Sequence, residues 1–183
     1  MQLTGKQIIA RGIVENYVEE GVQQQGVDIR LKEIYNLDGA GLIPRVGKTV
    51  KPTTTPIPSY IDIGLCSHWH GYYDKDRDCI VEQAILQPGY YEIEFEESCS
   101  IPKNCVLNFK TRSSLVRCGA IVHSGQFDAG FHTKNMGAFL HVIRPITIER
   151  GARVAQAIVN ESYEVEREDL YEGQWQNDKQ RER

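Results

Sequence analysis

Residues 91–96 alternate strictly between apolar and acidic side chains, and this alternation constrains the fold more than any other feature of the chain. Tyr91, Ile93 and Phe95 are separated by single glutamates. A period of two residues is typical of a β-strand with one buried face and one solvated face. The turn signal Pro88–Gly89 stands directly before this segment. The pattern therefore predicts a strand that begins after a turn and packs on a core.

Further strand-like segments are distributed along the chain, and two short helices interrupt them. The predicted strands are Gly26–Leu31, a strand that begins near Val106, Phe139–Ile148 and Val154–Val159. Thr4 and Gln7 form a Thr-x-x-Gln capping box that opens a helix to about Gly12. Residues 113–118 predict a second helix, which Gly119 ends. Prolines restrict residues 38–60 to loops and short strands. The sequence predicts one mainly β domain with a few short helices.

Composition restricts the class of protein and of partner. The chain has 183 residues, 40% of them hydrophobic and 25% charged, which are ordinary globular values. It contains no apolar stretch of membrane-spanning length and no signal-peptide core, so we expect a cytoplasmic protein without a membrane partner. The net charge is −4 without a basic stripe, which argues against nucleic acid as a partner. A small anionic ligand needs only a few local donors and stays compatible with this charge.

The segment Arg112-Ser113-Ser114 lies where a predicted strand passes into a predicted helix. Free backbone N–H groups at a helix start attract anions, and serine hydroxyls add further donors. Arg112 and Arg117 supply guanidinium groups that form forked hydrogen bonds to phosphate. The segment is thus a candidate polyphosphate site. The alternative is a serine N-cap with solvent-facing arginines.

Two more side chains have a functional and a structural interpretation. Asp128 lies between Phe127 and Ala129-Gly130-Phe131 and is either a general base in a partly apolar pocket or a turn residue. Gln156 is predicted near a strand start, where its amide either contacts a ligand or pairs with backbone at a sheet edge.

Cys66, His68, His70 and Cys79 have the side-chain types of a zinc site. Their spacing contains no Cys-x-x-Cys knuckle and matches no common zinc ribbon. The competing interpretation is a variable loop with partly buried cysteines and a packed Trp69.

Several segments, taken in order, resemble the superfamily of the trimeric dUTP diphosphatases and the dCTP deaminases. The pattern is most similar to archaeal or viral dUTPase-like members of the deaminase branch. The match extends over roughly Leu3 to Gln174, is poor between Asp38 and Ile80, and rests on order and spacing. The segments are Gln25–Leu31, Leu86–Gly89 with Ile101–Pro102, Arg112–Gly119, Phe127–Phe131 and Gly151–Gln156.

The resemblance implies a distorted β-barrel or jelly-roll protomer in a homotrimer, with active sites between subunits. It implies a single domain over residues 1–170, a variable insertion over 38–80 and a mobile tail over 171–183. The implied ligand is a pyrimidine deoxynucleoside triphosphate, with Mg²⁺ as cofactor.

The resemblance also implies a role for individual residues. Asp128 matches the carboxylate that activates water. Phe131 matches an aromatic residue that packs on the deoxyribose, and the Gly125–Gln126 backbone lies in the hairpin that reads the pyrimidine edge. The phosphate side is matched by Arg112, Ser113, Ser114 and Gln156, with Asp28 associated indirectly with the metal-bound phosphates.

Two observations choose between the chemistries of the superfamily. Deaminases of this superfamily carry a glutamate about ten residues beyond the aspartate, and that spacing falls here on Ala138. Between Asp128 and Glu149 the chain has no acidic residue. We therefore expect hydrolysis of dUTP to dUMP and pyrophosphate, in which Asp128 activates the water.

The C-terminal segment departs from ordinary dUTPases, because their glycine-rich phosphate-closing motif is absent. Residues 171–176, with Tyr171 and Gln174 as predicted substrate contacts, are more similar to the closing segment of deaminases. Three alternatives stay open: a dCTP deaminase with relocated acid–base groups, a bifunctional deaminase and dUTPase, and a catalytically silent nucleotide-binding module.

Overall fold

The computed structural model describes residues 1–59 and 67–176, and β-strands dominate it. The two helices are α1 (Gly5–Ala10) and α2 (Ser113–Arg117), and single 3₁₀ turns occur at Glu19–Gly21 and Arg167–Asp169. The strands are β1 (Val14–Glu15), β2 (Val22–Gln23), β3 (Gly26–Asp38), β4 (Thr53–Pro56), β5 (His68–Asp74), β6 (Cys79–Leu86), β7 (Gly89–Phe95), β8 (Ser98–Ser100), β9 (Cys105–Thr111), β10 (Ala120–His123), β11 (His132–Thr133), β12 (Gly137–Val142), β13 (Ile146–Glu149) and β14 (Arg153–Glu161). The prediction of a mainly β fold with a few short helices is confirmed.

The main sheet has the strand order β10-β12-β7-β3-β14-β9, with β2 and β4 pairing to β3. Its two end strands are joined by one side chain. The hydroxyl of Thr111 on β9 donates to the carbonyl oxygen of Val122 on β10 and accepts from the Val122 N–H, both at 3.0 Å. These bonds bring the ends of the sheet together, so the sheet is a nearly closed, distorted barrel.

The interior of this barrel is aliphatic and aromatic. Phe95 packs edge to face on Phe109, with ring centroids 5.0 Å apart, and both rings belong to the same buried cluster. Ile93 on β7 is fully buried, as the alternating pattern predicted. Two three-stranded sheets flank the barrel, in the orders β1-β8-β11 and β13-β6-β5.

Local sequence signals account for both helices. The Thr4 hydroxyl accepts from the Gln7 N–H at 3.3 Å, and the Gln7 side chain accepts from the Thr4 N–H at 2.9 Å, which completes the predicted capping box. α2 ends at Cys118, and Gly119 follows with φ of +90°, a conformation that favours glycine. Within residues 1–59 and 67–176, neither helix approaches the length needed to cross a bilayer.

One strand prediction was wrong. Residues 139–148 do not form one strand, because the chain leaves β12 at Val142 and begins β13 at Ile146 in a different sheet. Pro145 lies in this break. Proline has no N–H to donate to a neighbouring strand, and its ring fixes its φ angle. The apolar segment is therefore divided into two strands at Pro145.

Candidate active site

Three predicted phosphate-side residues lie together where β3, β14 and β9 are adjacent. The register places Gln156 on β14 opposite Asp28 on β3 and opposite Lys110 on β9. Nε2 of Gln156 lies 3.4 Å from Oδ1 of Asp28, and a guanidinium nitrogen of Arg112 lies 3.5 Å from Oδ2. Gln156 is thus on a central strand, which excludes the sheet-edge interpretation of its amide. The sheet gathers residues that are distant in sequence.

Asp28 is the buried centre of this cluster, with a side chain only 2% exposed. Burial raises the pKa of its carboxyl above the ordinary value, while Arg112, Arg153 and the Gln156 hydrogen bond oppose that rise. The two guanidiniums remain partly exposed beside it. The carboxylate therefore holds two cationic side chains that stay partly accessible to solvent.

Arg153 belongs to this cluster, although the sequence did not single it out. Its NH1 lies 3.4 Å from Oδ2 of Asp28 and donates to the carbonyl of Glu20 at 2.7 Å. Arg153 and Gln156 are three residues apart, so a regular strand would direct them to opposite faces. A register shift between Arg153 and Ala155 brings both to Asp28. Its position within the Gly151–Gln156 motif is the sequence feature that could have identified Arg153 as a site residue.

The Asp28 carboxylate is not arranged as a direct ligand of Mg²⁺. Its oxygens face the amide of Gln156 and two guanidiniums. Mg²⁺ requires oxygen ligands in octahedral geometry and repels such cationic neighbours. Asp28 is a positioning residue for Arg112 and Arg153 in this arrangement, and its indirect association with metal-bound phosphates stays a prediction.

The start of α2 adjoins the cluster. Arg112 is the N-cap residue in an extended conformation, and no side chain caps the helix. The serine N-cap interpretation is therefore wrong, because Ser113 and Ser114 are the first two helical residues and both are exposed. Their hydroxyls and N–H groups are available to an anion at this end. Arg117 lies in the last turn, at the opposite end of the helix.

A largely apolar cavity of about 610 Å³ lies on the β7–β12–β10 side of the molecule. Gly125 of the 123–127 segment and Phe131 line this cavity, as does Ala138 on β12. Ala138 thus places a methyl group in the wall at the position where deaminases are expected to carry a glutamate. Glu92 on β7 also lines the cavity, and its carboxylate forms an ion pair of 3.1 Å with Lys51.

Asp128 lies outside this cavity. Its side chain is exposed, accepts a hydrogen bond of 2.8 Å from Nε2 of Gln126, and borders a second, smaller cavity of about 340 Å³. Asp169 and Tyr171 line the same cavity. Within one chain, the pocket around Asp128 is thus lined by both polar and apolar residues, where a partly apolar pocket was predicted. Gly125 and Gln126 face different cavities.

Asp128 and Arg112 lie at opposite ends of β9. Phe127 pairs with Leu107 near the start of the strand, whereas Arg112 follows its last residue. At about 3.3 Å per residue, the five residues from Leu107 to Arg112 separate the two positions by roughly 17 Å. One chain therefore places the phosphate-side group at one end of β9 and Asp128, which borders the smaller cavity, near the other.

The C-terminal segment contacts the rim of the large cavity. The Tyr171 N–H donates to the carbonyl of Ala129 at 3.0 Å, and its ring packs edge to face on Phe131 with centroids 5.2 Å apart. The Gln174 amide donates to the carbonyl of Thr49 at 3.2 Å. Both predicted tail contacts thus lie beside the residues that form the cavity.

The structure does not bring the candidate zinc ligands that it describes close together. Cys66 lies outside the described residues. The β5–β6 ladder pairs His68 with Ile85 and Asp74 with Cys79, which puts His68 and Cys79 at opposite ends of the hairpin. At about 3.3 Å per residue they are roughly 20 Å apart, whereas zinc ligands lie about 2.0–2.3 Å from one ion. Across residues 1–59 and 67–176, no cluster of three or more metal-ligating side chains occurs.

Comparison with known proteins agrees with this fold. A family model described as dCTP deaminase-like matches residues 2–162. A "probable deoxyuridine 5'-triphosphate nucleotidohydrolase" of Halobacterium salinarum is 30% identical over 166 residues, which cover 91% of this chain and 89% of that protein. A "deoxyuridine 5'-triphosphate nucleotidohydrolase" of Methanocaldococcus jannaschii is 30% identical over 164 residues, covering 90% and 92%.

Among solved structures, a 2'-deoxycytidine 5'-triphosphate deaminase from Agrobacterium tumefaciens is similar in fold. The TM-score is 0.53 at 19% identity, and the match covers 86% of this chain and 47% of the deaminase chain. This chain therefore corresponds to about half of that deaminase. With a family model matching nearly its whole length, this barrel belongs to the dCTP deaminase-like family.

Proposed function

We propose that this protein hydrolyses dUTP to dUMP and pyrophosphate. The observation that carries the proposal is the convergence of Arg112 and Gln156 on the buried Asp28 beside the exposed hydroxyls of Ser113 and Ser114. This group offers charge-assisted donors that suit a polyphosphate. The archaeal relatives named for dUTP hydrolysis, which align over about nine tenths of the chain, support the same reaction.

The substrate is the Mg²⁺ complex of the nucleotide, so the ion enters with the triphosphate. Mg²⁺ neutralises phosphate charge during displacement. The protein's own part is to hold the phosphates with Arg112, Gln156 and the two serines, while Arg153 keeps Asp28 and Arg112 aligned.

Asp128 acts as the general base. Its carboxylate accepts a proton from a water whose oxygen attacks the α-phosphorus, and the bond from that phosphorus to the α,β-bridging oxygen breaks. The products are dUMP and pyrophosphate. The Gln126 amide donates to the carboxylate and holds it in one orientation. A positioned base of this kind contributes about 10²–10⁴-fold to a rate.

The pyrimidine and the deoxyribose occupy the large cavity, with Phe131 against the sugar and the Gly125 backbone at the base edge. Tyr171 and Gln174 close its rim. Arg117 supplies a further cation from the end of α2.

The active site is shared between copies of the chain in a homotrimer. The separation of roughly 17 Å between the start and the end of β9 keeps Asp128 away from Arg112 within one copy. A second copy therefore supplies the phosphate-side residues to the first copy's cavity. Closed cyclic assemblies repeat such a contact around an axis.

Deamination of dCTP is the second candidate. Ala138 argues against it, but Glu92 places a carboxylate in the same cavity from the neighbouring strand. In this alternative Glu92 takes over the proton transfers at the base.

The deciding experiment is a turnover screen of the common deoxynucleoside triphosphates with Mg²⁺. We expect dUMP and pyrophosphate in equal amounts from dUTP, and no ammonia from dCTP. Ammonia release would favour the deaminase or a bifunctional enzyme. Tight nucleotide binding without either product would identify a silent binding module and remove the proposed activity.

A further inference from the structure

Residues 40–52 form a projecting arm between β3 and β4, here called the arm. Leu42 and Val50 pair through two backbone hydrogen bonds of 2.7 and 2.9 Å, and Gly47 adopts a φ of +106° between them. The arm contacts the body where Lys51 pairs with Glu92 and where the Thr49 carbonyl accepts from Gln174. The arm thus has a defined orientation at the cavity rim.

The arm presents large aliphatic side chains to solvent. Ile43 and Val46 are each 86% exposed, and Leu42 and Val50 are more than half exposed. Scattered apolar residues are normal on a surface, but a contiguous group of this size typically marks a contact with another molecule.

The charge of the arm indicates what it contacts. Arg45, Lys48 and Lys51 are its charged residues, and it contains no acid. The whole chain has 25 acidic and 21 basic residues, so the rest of its surface is acidic on balance. A second copy of the chain therefore offers the complementary charge.

The position of the arm points to the same occupant. Leu42, Ile43 and Val50 line the large cavity. In the proposed function a second copy must bring Arg112 and its neighbours to this cavity. The arm therefore stands at the side from which that copy approaches.

We propose that the arm docks on the neighbouring copy, where Ile43 and Val46 become buried and Arg45 and Lys48 face acidic side chains. This interface rests on the proposed sharing of the active site. It gives the region of poorest family resemblance a role in assembling the site.

The test is the mass of the assembly in solution. Sedimentation velocity is measured for the full chain and for the double variant Ile43→Asp/Val46→Asp. We expect a trimer for the wild type and a shift to monomer for the variant at micromolar concentration. The control is Tyr163→Asp, which replaces an exposed apolar side chain by one aspartate at a residue 95% exposed outside the arm and should stay trimeric. Circular dichroism checks that each variant is folded.

A second variant, Arg45→Glu/Lys48→Glu, tests the electrostatic part. Its trimer should dissociate at low ionic strength and recover in part at high salt, because salt screens the repulsion. Unchanged mass in both variants, or a monomeric wild type, would overturn the proposal. A trimeric wild type that dissociates in the arm variants yet turns over no nucleotide would remove the proposed function and leave the arm interface standing.

Discussion

Oδ2 of Asp28 lies 3.5 Å from a guanidinium nitrogen of Arg112, and this pair joins the early strand β3 to the start of α2. The carboxylate is buried and the guanidinium is partly exposed. Asp28 therefore holds a partly exposed cation in place, which suits the proposed polyphosphate site.

Asp28→Asn should change how stability depends on pH. Burial raises the carboxyl's pKa above 3.8 in the folded state. When folding raises the pKa of an acid, the protonated acid stabilises the folded state. This stabilisation is complete below the pKa of the unfolded chain and is lost as the pH rises through the pKa of the folded state. The variant lacks this titration, so the wild type's free energy of unfolding should decline relative to the variant's above pH 3.8. Urea titrations across the acidic range measure the difference, and parallel curves would contradict the burial argument.

Asp128→Asn should lower kcat for dUTP by about 10²–10⁴-fold, because the amide cannot accept the proton of the attacking water. Binding of a non-hydrolysable dUTP analogue should stay near the wild-type affinity, measured by calorimetry. Asp169→Asn is the matched control, since Asp169 lines the same small cavity. Near-normal turnover in Asp128→Asn would remove the general-base assignment.

Mixing two inactive variants tests whether the active site is shared. Asp128→Asn and Arg112→Ala should each lack turnover, but randomly mixed trimers should regain roughly a quarter of the sites, because Asp128 and Arg112 come from different copies. Subunits are exchanged under mild denaturant and assayed for pyrophosphate release. Mixing Asp128→Asn with a variant that carries both substitutions should restore nothing. A site contained within one chain predicts no recovery in either mixture.

Thr111→Val should loosen the closure of the barrel. The substitution keeps the shape but removes the hydroxyl that bonds both backbone groups of Val122. Leaving such groups unsatisfied costs about 1–3 kcal/mol. Thr147→Val, at an exposed position of β13, is the control and should change the free energy of unfolding far less. Equal denaturation midpoints for the two variants would show that the bridge contributes little.

Local sequence alone determined several elements. The Thr4–Gln7 capping box fixed the start of α1, and Gly119 fixed the end of α2, because each depends on hydrogen bonds or backbone angles within a few residues. The alternation around Ile93 likewise predicted β7 and its buried face. The order of the motifs indicated the family and grouped Arg112 with Gln156.

Only the tertiary structure decided how these elements meet. Arg153 joins Asp28 because a register shift turns it to the same face as Gln156. The hairpin register separates His68 from Cys79, which argues against a zinc site that the side-chain types alone allowed. Burial of Asp28 likewise follows from strands that are distant in sequence. Pairing between distant strands sets register, burial and twist together, and no short window of sequence contains that information.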